Sequence, residues 1–200
     1  MYATFIATVV LLCACTAHST EAGGYTGGNY SPPGLPGYTL EWKPMPTSGN
    51  DLLEIRITAP TTGWVGFGLA EWGAGGMPGS DFVVCHPPTD AAVASAIDYH
   101  GLTYGTPTLD VSQDWTLVSV TATADTAETV CELSRLLDTG DTQDRPIDLA
   151  RLALGDAPVL FAHGASGDTS FGYHGAAVTT ASLNFLNPTN ATAEILALTE

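Results

Sequence analysis

From Tyr38 onward the chain alternates apolar and polar residues with a period of two. Tyr38, Leu40 and Trp42 alternate with Thr39, Glu41 and Lys43; Leu53, Ile55 and Ile57 alternate with Glu54, Arg56 and Thr58. Successive side chains of a β-strand point to opposite faces, so each run offers one apolar face to a core. Further runs follow: GWVGFGLA (63–70), SDFVVC (80–85), AVASAIDY (92–99), WTLVSVTA (115–122), AETVCEL (127–133), PVLFAHG (158–164) and TTASLNF (179–185). Each is short and bounded by Gly, Pro, Asp, Asn or Thr, which predicts about nine strands. A helical segment is suggested only over Ile147–Leu154. Many short strands separated by turn signals imply an all-β chain folded as an antiparallel sandwich.

The ends differ from this pattern. Tyr2 to Ala17 is an uncharged apolar run followed by small and polar residues, which marks residues 1–22 as a signal peptide. A retained N-terminal anchor is the rival reading, because no Lys or Arg precedes the run. The run is short of the roughly 20 apolar residues that span a bilayer, so no stable membrane insertion is expected once the signal is removed. Residues 23–37, rich in Gly, Pro, Ser and Thr, read as a flexible leader, 38–186 as one domain, and 187–200 as a tail.

Charge narrows the partners. The chain carries 21 acidic residues against 5 basic ones, a net charge of −16, which excludes nucleic acid and anionic membrane surfaces as ligands. Removal of the signal leaves Cys85 and Cys131, an even count that favours one disulfide in a secreted chain, with two buried thiols as the alternative. Asn29 and Asn190 head N-x-S/T triplets that read as glycosylation acceptors.

Candidate chemistry is sparse. There is no G-x-S-x-G elbow for a serine nucleophile. His86, His100, His163 and His174 form no H-x-H or H-E-x-x-H arrangement that would signal a copper or zinc site. The series Asp138, Asp141, Asp144 and Asp148 lacks calcium-loop spacing and reads as turn and capping residues, with Arg135 available to pair with one of them and pin the loop. Met77, in the turn GGMPGSDFVVC, and His174, in GYHGAA, carry a thioether and an imidazole, one of the axial pairs used by cytochromes. The glycines around Met77 would let backbone approach a flat macrocycle. The alternative is a methionine plugging one end of the sandwich and a histidine on its surface. The absence of C-x-x-C-H excludes covalent heme attachment.

Taken in order, these segments resemble the DOMON domain, found in dopamine β-monooxygenase-like proteins and in extracellular b-type cytochromes. The resemblance is carried by GWVGFGLA, GGMPGSDFVV, DYHGLTYGTPTLDVSQDWTLV (98–118), LSRLLDTGDTQDRPI (133–147), VLFAHG and YHGAAVTTASLNF. It implies an immunoglobulin-like sandwich of about nine or more strands with a ligand pocket at one end. By analogy with the cytochrome members, heme b would lie between Met77 and His174, with His163 the runner-up ligand. Trp72, Phe161 and Tyr173 would wall the pocket; Trp64 and Phe67 fit plain core better. The function implied is a secreted electron-transfer module without catalysis of its own, served by a redox protein or a small electron donor or acceptor. The alternative is a heme-free module for carbohydrate or another small ligand, with Trp72 as stacking platform and Asp81 or Asp168 as polar contact, or an interaction domain. Nothing in the chain resembles the copper-binding domains of the monooxygenases, so hydroxylase activity is not expected.

Overall fold

A computed structural model of the chain describes residues 24–45, 51–73, 75–168 and 170–186. The expected signal peptide, the tail and Asn190 lie outside the described residues. Two antiparallel sheets face each other. The five-stranded sheet runs in the order β1 (Gly28–Tyr30), β2 (Thr39–Trp42), β3 (Leu52–Ala59), β9 (Glu128–Leu136), β8 (Thr116–Thr123). The six-stranded sheet runs β11 (Val178–Leu183), β10 (Ala157–His163), β4 (Val65–Leu69), β5 (Asp81–His86), β6 (Ser95–His100), β7 (Thr108–Leu109). Each of the nine alternating runs forms one strand. The helical signal at 147–154 yields a single turn, α1 (Leu149–Leu152), whose N-terminal amides of Ala150 and Arg151 are capped by Asp148 Oδ1.

Two short strands were not expected. β1 lies inside the segment read as a flexible leader. It pairs Gly28 with Trp42 and Tyr30 with Leu40, and the Tyr30 ring stacks on Phe161 at 5.8 Å. That stack and the buried Leu35 hold a glycine-rich stretch that composition alone marks as mobile. β7 pairs with β6 through Tyr99 and His100.

The core follows the alternation. Leu53, Ile55, Ile57 and Ala59 of β3 are fully buried, as are Cys131 and Leu133 of β9. From the opposite sheet come Val65, Phe67, Val83, Cys85, Val159 and Phe161. Cys85 and Cys131 form a disulfide with a Cα–Cα distance of 6.6 Å, joining β5 to β9 and so one sheet to the other. Tyr38 reinforces this link, its hydroxyl donating to the Gly66 carbonyl at 2.8 Å.

β4 is covered on both faces. Its odd-numbered residues, Val65, Phe67 and Leu69, enter the core, so Gly66 and Gly68 face outward. Those glycines leave a low strip along the middle of the six-stranded sheet, and a groove forms over it.

Candidate functional site

The groove runs over the outer face of β4, β5 and β10. Its floor is Gly66, Gly68, Phe82, Val84, Leu160 and Ala162, and the lining is almost wholly apolar. A Cβ on Gly68 would come within 2.7 Å of the Phe82 ring, so the floor at that point admits only glycine without displacing Phe82.

Met77 and His174 both line this groove, and they reach it from opposite ends of the sheet. Met77 belongs to the loop that leaves β4 after Leu69 and returns as β5 at Asp81. His174 belongs to the loop that leaves β10 after His163, and His163 pairs with Val65, the other end of β4. Each loop therefore folds back over the glycine strip.

The Met77 loop is held by backbone contacts. Gly79 N–H donates to the Gly101 carbonyl and Gly101 N–H to the Ser80 carbonyl, both at 2.7 Å, and Ser80 N–H donates to the Met77 carbonyl at 3.1 Å. The Ser80 hydroxyl donates to the Gly76 carbonyl. Gly75 and Gly79 have φ of 63° and 73°, left-handed values that glycine adopts without strain. Gly101 has no counterpart in the sequence reading; nothing local distinguishes it from other glycines.

The His174 ring donates from Nδ1 to the Gly175 carbonyl at 3.0 Å. That bond places a proton on Nδ1 and turns Nε2 away from the Gly175 carbonyl. Tyr173, expected in the pocket wall, is instead 86% exposed, its ring 4.9 Å from that of His174. His174 turns to the groove and its neighbour to solvent. Phe171 takes the wall position, stacking edge-on with Trp64 at 5.1 Å and against Tyr99 at 5.0 Å. Trp64 lines the groove and its buried Nε1 has no hydrogen-bond partner among the described residues.

The other candidates separate. His163 is half-buried, lies on the strand face of Phe161 and donates from Nδ1 to the Gly164 carbonyl at 2.8 Å; it is not part of the groove lining. Phe161 is fully buried, packing on Tyr38 and Phe67 while bordering the groove from below. Trp72, near the start of the Met77 loop, lines a second cleft, with Arg151 of α1 4.6 Å over its ring. It therefore does not wall the groove. Asp168 caps a turn by accepting from Ala165 N–H at 3.0 Å.

A buried acidic cluster lies behind the Met77 loop. Oxygens of Asp81, Asp98 and Asp144 fall within 4.8 Å of one another. Arg135, fully buried, donates to Asp81 and stands 4.0 Å from Asp144. The expected pairing of Arg135 with the 138–148 series is thus secondary. Its main partner is Asp81, which also accepts from Arg145 N–H at 3.1 Å and so is no surface contact for a sugar. Asp138, Asp141 and Asp148 do the turn and capping work expected of them. Burial pushes Asp98 up to about 8, with the charges of Asp81 and Asp144 adding to the effect. Asp144 rises to about 6, again chiefly through burial. Burial raises Asp81 as well, while Arg135, which touches it directly, pulls the other way.

The donor set, the apolar lining and the glycine floor fit a flat macrocycle with an axial thioether and imidazole. The free volume between the walls is about 50 Å³, so a heme is admitted only with the two loops further apart than they stand.

Comparison with known proteins bears on this arrangement. The family model for the DOMON domain matches residues 36–152. No curated protein matches the chain. Among solved structures, the chain is similar to the cytochrome b domain of pyranose dehydrogenase from Coprinopsis cinerea, at TM-score 0.54 and 14% identity, covering 77% of this chain and 78% of that one. It is also similar to the cytochrome domain of Myriococcum thermophilum cellobiose dehydrogenase, at TM-score 0.54 and 15% identity, covering 82% and 86%.

Proposed function

The chain belongs to the DOMON family, and on that premise we propose that it is a secreted electron-transfer module that binds heme b, with Met77 and His174 as axial ligands. The observation that carries the proposal is the convergence of these two side chains on one apolar groove. Likeness to two cytochrome domains supports the same direction. When bound, the heme supplies a one-electron couple. Met77 offers a soft sulfur and His174 its Nε2, and a Met/His pair favours a relatively high potential. The Gly175 carbonyl orients the imidazole. Phe82, Leu160 and Phe171 exclude water. Held by both Met77 and His174, the group would pass electrons rather than activate oxygen. The partner is a redox protein or a small donor or acceptor.

The test is the absorbance of purified protein after reconstitution with hemin. A sharp low-spin b-type spectrum is expected, lost in Met77→Ala and in His174→Ala and kept in His163→Ala. Protein that stays colourless ends the proposal; a spectrum that depends on His163 and not on His174 replaces the ligand.

A further inference from the structure

Of the five basic residues in the chain, three have carboxylate partners: Lys43 with Glu54, Arg56 with Glu41 and Glu132, and Arg135 with Asp81. Arg145 and Arg151 have none within ion-pairing distance among the described residues. In a chain with 21 acidic residues that is unexpected, and the two share one place. Both line a cleft of about 330 Å³ with Glu71, Trp72, Ile147 and Pro158. The cleft shares no lining residue with the groove and takes Arg151 from α1.

The two guanidinium groups are differently held. Arg145 donates from Nε to the Gly79 carbonyl, which fixes its plane and leaves its terminal nitrogens without a bond among the described residues. Arg151 lies 4.6 Å over the Trp72 ring, an arrangement that orients a guanidinium without neutralising it. A planar fork of donors matches a carboxylate or phosphate better than any neutral group. Glu71 at the same cleft adds a negative charge that disfavours a dianion and offers an acceptor for a hydroxyl. Trp72, Ile147 and Pro158 supply an apolar bed for a ring.

We propose that this cleft binds the carboxylate of a small ring-bearing acid, with Arg145 and Arg151 on the oxyanion and the ring against Trp72. The shared chemistry could come from a sugar acid or an aromatic acid. The site does not depend on heme, so its test stands apart from that of the groove.

The experiment titrates the purified chain with galacturonate and with 4-hydroxybenzoate, and with glucose and phenol as uncharged counterparts, followed by the chemical shift of the Trp72 indole N–H. At least one acid is expected to bind, more weakly at high salt, with the uncharged counterparts inert; which acid binds identifies the source. Arg151→Gln, checked for an unchanged melting temperature, is expected to weaken binding about tenfold or more, the usual effect of losing a hydrogen bond to a charged group. Binding of neither acid, equal binding of a neutral counterpart, or unchanged affinity in Arg151→Gln each overturns the proposal.

Discussion

A Cβ placed on Gly101 would lie 2.1 Å from the carbonyl oxygen of Met77. No side chain fits between the end of β6 and the loop that presents the thioether. Gly101→Ala should therefore push the Met77 loop outward, at an overpacking cost of about 1–3 kcal/mol. The expected signs are a lower melting temperature and a weakened Met77-dependent heme spectrum. Unchanged stability with an unchanged spectrum would show that the loop yields freely.

Among the described residues, Arg135 is the one cation in ion-pairing reach of the buried carboxylates Asp81 and Asp144, which cluster with Asp98. Arg135→Met leaves Asp81, Asp98 and Asp144 facing one another, and breaking a buried pair by removing one partner costs about 3–5 kcal/mol. Urea unfolding measures this directly. The double variant Arg135→Met, Asp81→Leu should recover part of the loss, because it removes the uncompensated charge as well.

The same cluster sets a pH dependence of unusual sign. Asp98 moves from 3.8 in the unfolded chain to about 8 in the fold, so between those values the native state holds a proton that the unfolded state has released. Stability is then full near pH 4 and falls as pH rises toward 8. Asp144, raised to about 6, steepens the lower part of that fall. Each such proton contributes a slope of up to about 1.4 kcal/mol per pH unit. The melting temperature should be higher at pH 5 than at pH 8, and Asp98→Asn should flatten the curve between pH 6 and 8. General charge repulsion follows the same trend, so the difference between wild type and Asp98→Asn is the informative quantity.

The disulfide closes a separation of 46 residues. Replacing both cysteines by alanine should cost about 4 kcal/mol on the chain-entropy model, read as a shift in the denaturant midpoint. Both cysteines are fully buried, so a reducing agent should act slowly on native protein and readily once it unfolds.

Much of this architecture is legible in the alternation of Leu53, Ile55 and Ile57 or Cys131 and Leu133, where one face is buried and the other solvated. β1 is not, because its place depends on Tyr30 meeting Phe161, a contact far along the chain. Asp98 was passed over for a related reason. In AIDY the apolar residues suggest that Ile97 points inward, yet the register sets Asp98 opposite Val83, on the core side. Arg135 was assigned to nearby acids because its true partner is 54 residues away. Met77 and His174 drew notice through their chemistry and the family resemblance. That Trp72 and Tyr173 stand outside the groove lining is not legible either, because period-two patterning says nothing about which side of a loop a side chain takes.

The glycine strip on β4 acts as a ruler. The loops bearing Met77 and His174 are anchored at its two ends, so the gap between sulfur and imidazole is measured along a strand that rises about 3.3 Å per residue. Inserting or deleting a single residue in Val65–Leu69 would change the span by a whole step and reverse which side chains face the groove. The length of this strand is therefore one dimension that sets how far apart the two loops leave the sheet.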